Sequence, residues 1–220
     1  HGLGSHSGRW DEAARFFQES GISSYALELK GFGATTEPRG HINSIETYLS
    51  DIRALARVIR DEEPGKKIFL VGESLGGLIS FLSAAQPPPE TGGVVCLSAA
   101  FKSRLRFTPA QWLKIWLFLV LRPERSLPMP FTGAMCTRDI TFQQIIDADP
   151  LGHRVASPRL LYNILRMQSR VRADARKINM PVLFLVAGDD DLLTDSQEVK
   201  KIFSLLTTQD KEIIQYANMR

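Results

Sequence analysis

The stretch IFLVGESLGGLIS, residues 68–80, narrows the folds open to this chain more than any other. Ile68, Phe69, Leu70 and Val71 form a continuous apolar run with β-branched and aromatic members. Such a run reads as a strand buried on both faces, as in a parallel sheet. After Gly77 the residues Leu78, Ile79, Phe81 and Leu82 suit a buried helix. Ser74 therefore falls on a tight turn from strand to helix, and the positions two before and two after it, Gly72 and Gly76, must lack a side chain. The N-terminus of the helix aims backbone N–H groups at the place where negative charge would develop. This is the G-x-S-x-G nucleophile elbow, with Ser74 as candidate nucleophile and the N–H of Leu75, the next residue, as one candidate oxyanion donor.

The rest of the chain agrees with a sheet of that kind. Apolar runs at 24–29, 68–71, 94–98, 180–188 and 212–216 read as strands. Helical patterns separate them, and the alternation predicts a mostly parallel sheet with flanking helices, an α/β fold. Its functional loops belong at the carboxyl ends of the strands. Ser7 is placed to cap a first helix with Trp10, Ala13, Phe16 and Phe17 facing the core, and Asn43 and Glu46 have capping-box spacing for a second. Residues 101–180 break the alternation. They read as helices without convincing strands, one of them started by Ser157 and Pro158, and are expected to form an inserted helical cap over the active edge of the sheet. The domain plan is thus a core in two parts, 1–100 and 181–220, with the cap at 101–180.

Within the cap, QWLKIWLFLVL at 111–121 is nearly all apolar and lies between Pro109 and Pro123. A membrane span needs about 20 residues, so this stretch is too short to be one. Two readings stay open: a helix packed on the core, or a lid that presents Trp112, Leu113, Trp116 and Leu119 to lipid. Charge bears on the choice. Residues 101–130 hold six basic residues and one acidic residue, in a chain whose net charge is only +3. Basic charge beside an apolar helix suits an anionic membrane surface or a fatty-acyl substrate. The overall charge is too small to argue for nucleic acid.

Cys96 and Cys136 are the only cysteines, and no disulfide framework is implied. That is compatible with a reducing compartment, and a cytoplasmic or peripheral-membrane location is the expectation. The sequence contains no CxxC, no HExxH and no Gly-rich phosphate loop, and the acidic run GDDDLLTD lacks EF-hand spacing. Neither a metal nor another cofactor is expected.

The stretches HGLGSHSGRW, GFGATTEPRG, VGESLGG and MPVLFLVAGDDD, in that order, resemble the α/β-hydrolase superfamily. Within it they are most similar to the monoacylglycerol lipase-like branch, also labelled serine aminopeptidase S33. The resemblance covers nearly the whole chain. It implies a serine esterase or lipase that hydrolyses a carboxylic ester through an acyl-enzyme, on a monoacylglycerol, a lysophospholipid or a similar acyl ester. The loop His1-Gly2-Leu3-Gly4 resembles the oxyanion loop of the family, which makes Leu3 N–H the second donor beside Leu75 N–H. The family spacing after the late strand picks Asp191 as the acid, with Asp190 as runner-up, and leaves Asp195 as a helix cap. Glu28 departs from the family, where Asp is more frequent.

The family order is Ser, Asp, His, yet none of His1, His6, His41 and His153 follows Asp191. His1 belongs to the oxyanion loop, His6 to a loop near the site, and His41 and His153 are expected at the surface. The resemblance therefore implies a chain truncated at both ends, with the triad histidine outside it, just beyond residue 220. A competing reading, supported by the missing histidine, is a non-catalytic α/β-hydrolase scaffold that binds a ligand or partner.

Overall fold

The structure, a computed structural model, describes residues 1–104, 107–190 and 195–219. Its centre is a four-stranded sheet of β1 (Ile68–Glu73), β2 (Thr91–Leu97), β5 (Val182–Ala187) and β6 (Lys211–Tyr216) in the order β1-β2-β5-β6. All three pairings are parallel. Between β1 and β2 runs α3 (Leu75–Ala84); α1 (Asp11–Glu19) and α2 (Ile45–Glu62) precede the sheet, and α8 (Ser196–Leu205) links β5 to β6. This is the expected α/β architecture of a mostly parallel sheet with flanking helices.

The segment between β2 and β5 carries α4 (Pro109–Leu121), α5 (Gly133–Cys136), α6 (Ile140–Ala148) and α7 (Pro158–Ala175). It also contains two strands of two residues each, β3 (Leu127–Pro128) and β4 (Val155–Ala156), which pair antiparallel.

Helix α3 is apolar all round and is buried at every residue, the condition under which such a helix is stable. It packs on β1, β2 and α7. A chain of aromatic contacts ties this helix through β5 to α8 on the same face of the sheet. Phe81 meets Phe101 at 4.7 Å, Phe101 meets Phe184 of β5 at 5.5 Å, and Phe184 meets Phe203 of α8 at 6.0 Å. In β5 the buried residues alternate, with Val182, Phe184 and Val186 inward.

Helix starts follow local chemistry. Ser157 accepts from Leu160 N and Pro158 follows it; Asp195 accepts from Gln197 N and Glu198 N at the head of α8. Thr108 and Gln111 form a reciprocal capping box on α4.

Four local expectations change. The cap of α2 is Ser44, whose hydroxyl accepts from Glu46 N, while Asn43 is engaged with His41. Ser7 opens a 3-10 turn, Ser7–Trp10, rather than capping α1 directly, and its N–H and Oγ both donate to Glu28. Phe16 of α1 is 66% exposed. Residues 24–29 have no ladder partner among the described residues. That stretch is held instead by side chains, with Ser23 Oγ and Tyr25 Oη donating to Glu63 and Glu62 at the end of α2. A strand needs a neighbour to pair with, and apolar character alone does not supply one.

Candidate active site

Ser74 stands between the last residue of β1 and the first of α3. Its backbone is left-handed, φ 51° and ψ −112°, a conformation that costs a non-glycine residue about 1–3 kcal/mol and tends to mark functional sites. Three backbone bonds hold it there. Ser74 N–H donates to Leu97 O at 2.9 Å, and Ser74 O accepts from Leu78 N at 3.0 Å and Ala100 N at 2.9 Å. The turn is thus fixed to β2 on one side and to its own helix on the other.

The flanking glycines are required by contact. A Cβ on Gly72 would lie 2.3 Å from Gly76 O, and a Cβ on Gly76 would lie 2.7 Å from His1 O. The second contact joins the elbow to the loop of residues 1–4. That loop crosses the serine itself: a Cβ on Gly2 would meet Ser74 Cβ at 3.5 Å and Oγ at 3.9 Å. The backbone at Gly2 therefore lies against the candidate nucleophile. Leu3 follows Gly2 and packs on the core, and the turn is closed by Ser5 N–H donating to Gly2 O. Leu75 is the first residue of α3, so its N–H is one of the four that a helix cannot satisfy within itself.

His1 is buried and serves this loop. Its Nδ1 is 3.0 Å from Gly2 O, its Nε2 is 3.2 Å from Leu29 N–H, and its ring stands edge-on to Phe32. The same Nε2 also lies 3.1 Å from Glu28 Oε1. His41 lies between Ser157 Oγ and Asn43 Oδ1. His153, expected at the surface, is stacked on Phe32 at 5.1 Å with its Nε2 donating to Gly31 O. Burial lowers its pKa, so it stays neutral at ordinary pH. Among the described residues no histidine is hydrogen-bonded to Ser74 Oγ.

The carboxyl end of β5 brings acid to the same edge of the sheet. Gly188 N–H donates to Tyr216 O at 2.8 Å, and Asp189 is paired with Arg138. Asp190 is buried at 9% exposure. Asp191, the expected acid, lies outside the described residues. Beside the serine, Glu73 is an exposed residue whose carboxyl has protein packed around it. Desolvation by the surrounding protein raises its pKa, the positive charges of the N-terminal amine and Arg9 oppose the rise, and Asp190 adds to it. Sequence reasoning passed over Glu73, although its place in the elbow motif was visible. Among the described residues no cluster of three or more His, Cys, Asp or Glu is placed to hold a metal ion.

The two tryptophans of α4 have different settings. Trp112 is half-buried and meets Phe107 edge-on at 5.3 Å, whereas Trp116 is 48% exposed and touches Tyr162 at 6.4 Å. Only Ile115 of α4 is buried, while Leu113, Leu117, Val120 and Leu121 are exposed. The exposed apolar face is shifted from the expected one, with Val120 and Leu121 on it and Trp112 turned inward. Among the described residues no helix is long and apolar enough to cross a membrane.

Residues 1–220 match the profile of the family described as "Serine aminopeptidase, S33". The chain is similar to the monoglyceride lipase of Homo sapiens, with 29% identity over 216 residues, 97% of this chain and 70% of that protein. The structure is similar to a crystal structure of the Paleococcus ferrophilus monoacylglycerol lipase, with a TM-score of 0.87 and 29% identity over 100% of this chain and 82% of that one. It shares its fold with a soluble variant of the monoglyceride lipase from Saccharomyces cerevisiae bound to a substrate analogue. There the TM-score is 0.89 and the identity 18%, over 100% of this chain and 76% of that one.

Proposed function

The chain belongs to the serine aminopeptidase S33 family of α/β-hydrolases, and from that premise we propose that it is a serine carboxylic-ester hydrolase acting on monoacylglycerol or a similar acyl ester. The observation that carries the proposal is the left-handed Ser74 at the head of α3 with the backbone of Gly2 lying over its side chain. That the chain resembles lipases over nearly all its length supports the lipid substrate.

In the proposed mechanism Ser74 Oγ attacks the ester carbonyl, and its proton passes to a histidine base. The carbonyl electrons move to oxygen, and the N–H groups of Leu3 and Leu75 receive that oxyanion. Collapse of the tetrahedral adduct breaks the bond to the alcohol, which leaves with the proton from the base. Water then cleaves the acyl–Oγ bond by the same sequence. Asp191 is proposed to orient the base, with Asp190 as the alternative. His1, His41 and His153 are engaged elsewhere, as is His6 with Asp149, so none of these four is assigned as the base.

Residues 1–100 and 181–220 act as the catalytic core and 101–180 as a cap. We assign α4 of the cap to contact with a micelle or membrane surface. Leu113, Trp116, Leu117, Val120 and Leu121 supply exposed apolar area, and Arg125 lies over the Phe118 ring at 4.7 Å beside them.

The test is hydrolysis of a p-nitrophenyl ester by the full-length protein and its Ser74→Ala variant. The variant should lose turnover by several orders of magnitude and fold as the wild type does. Retained turnover by Ser74→Ala would end the proposal. A wild type without turnover would favour the non-catalytic scaffold, the reading that fits the lack of a histidine bonded to Ser74 Oγ among the described residues.

A further inference from the structure

We infer that Asp149, through His6, is a positioning residue for the oxyanion hole, and that the segment leading out of α6 holds the Leu3 donor in its working place. The inference rests on the reading of Ser74 and Leu3 given above.

Asp149 ends α6 and precedes Pro150, which biases it to extended backbone, as observed at φ −69° and ψ 116°. Its carboxylate collects partners from two distant parts of the chain. Oδ1 accepts from Leu151 N–H at 2.9 Å and from Gly152 N–H at 3.4 Å, which shapes its own turn. Oδ2 faces the other way, 2.7 Å from His6 Nε2 and 2.6 Å from the Arg9 guanidinium. A carboxylate only accepts, so His6 donates from Nε2. The three side chains are 12–16% exposed. That shelters the group from the screening that weakens surface pairs.

A second tie runs alongside. His153 N–H donates to Gly4 O at 2.9 Å. Gly4 is left-handed, φ 77°, and a Cβ there would lie 2.2 Å from His153 O, so the two backbones touch. The segment 149–153 therefore grips residues 4, 6 and 9. Gly2, on the other side of Leu3, is set against Ser74 and bonded to His1. Leu3 is strung between one anchor on the elbow and another on the segment after α6.

An oxyanion donor must meet an oxygen at hydrogen-bond distance, and displacement by about 1 Å costs about a hundredfold in rate. The local bond from Ser5 N–H to Gly2 O closes the turn around Leu3, and the outer side of that turn is set from the segment after α6. The Asp149–His6 bond and the Gly4–His153 contact set it. In this account the segment after α6 completes the catalytic machinery as well as covering it.

The test uses full-length protein with p-nitrophenyl butyrate and a tetrahedral-adduct-forming boronic acid. For Asp149→Asn, kcat per fluorophosphonate-titrated site should fall about tenfold to a hundredfold, with KM nearly unchanged. Boronic acid affinity should fall by the same factor. His6→Ala should behave likewise, His6→Gln, which keeps a donor, should recover most of the loss, and the His6→Ala/Asp149→Asn pair should lose no more than the worse single change. A residue that merely supports folding would lower the melting temperature and the number of titrated sites, leaving kcat per site and boronic acid affinity alone. That result would overturn the inference, as would a loss confined to KM or additive losses in the pair. A wild type that neither turns over the ester nor labels at Ser74 would overturn this inference together with the serine-hydrolase reading. A competent wild type with an unaffected Asp149→Asn would overturn this inference alone.

Discussion

Helices α3 and α4 have nearly the same chemical character and opposite fates. LGGLISFLSA is buried at all ten residues, whereas PAQWLKIWLFLVL buries Ile115 alone. Composition does not separate them. What separates them is what comes before. A buried strand and an elbow of glycines lead into α3, and Gly77 brings it within touching distance of Ala99 beyond β2. Helix α4 starts from a capping box at Thr108 and meets chiefly α7. An apolar helix tied by its N-terminus to a sheet becomes core. The same kind of helix in an insertion is left with apolar surface to present.

The contrast can be broken by substitution. The largest effect belongs to α3. Phe81→Ala, at a fully buried site in contact with Phe101 and Phe184, should destabilise the protein by about 3–5 kcal/mol in denaturant unfolding. A loss below about 1 kcal/mol would mean that α3 is not the core helix described here. Gly76→Ala comes next. The added Cβ meets His1 O at 2.7 Å, and overpacking of this kind costs about 1–3 kcal/mol. Its effect on turnover should exceed its effect on stability, because the atom it strikes belongs to the loop over Ser74.

Changes in α4 should reverse the pattern. Val120→Ser, at an 80% exposed position, should alter stability by about 0.5 kcal/mol or less. Trp116→Ser with Leu117→Ser should reduce activity on vesicular esters more than on a short soluble ester. Equal losses on both substrates would show that α4 acts by packing rather than by contact with lipid. The smallest effect concerns Asp149. Burial alone would raise its pKa, but hydrogen bonds from His6 and Leu151 N–H and the charge of Arg9 outweigh that and hold it below the ordinary 3.8. A carboxyl depressed in the folded state stabilises fully above its unfolded pKa, and the contribution is lost as pH falls through the folded value. The stability gap between wild type and Asp149→Asn should therefore narrow as the pH drops below 3.8, which unfolding at several pH values would read.

The parts of this molecule that were legible in its sequence are those whose determinants are local. Gly72, Ser74 and Gly76 announce the elbow because each contact that excludes a side chain there is made within the turn or by the loop crossing it. Ser157 with Pro158, and Asp195, mark helix starts by chemistry that acts over three residues. What was not legible depends on partners far away. Residues 24–29 have strand composition but no neighbour to pair with among the described residues. His153 carries no motif, and only folding stacks it on Phe32. Asp149 and His6 lie 143 positions apart, and neither one's surroundings in the sequence points to the other. The direction in which α4 turns its apolar residues is set by its contacts with α7 and Phe107, which periodicity in a helix apolar on all sides does not encode.

The central claim is that Ser74 is the nucleophile beneath the loop of residues 1–4. The most direct measurement is reaction of the full-length protein with a fluorophosphonate, followed by peptide mass mapping of the adduct. The account predicts a single phosphonylated site at Ser74, with labelling suppressed when a bulkier residue at Gly2 fills the space against Oγ. No adduct, or an adduct on any other residue, would contradict it.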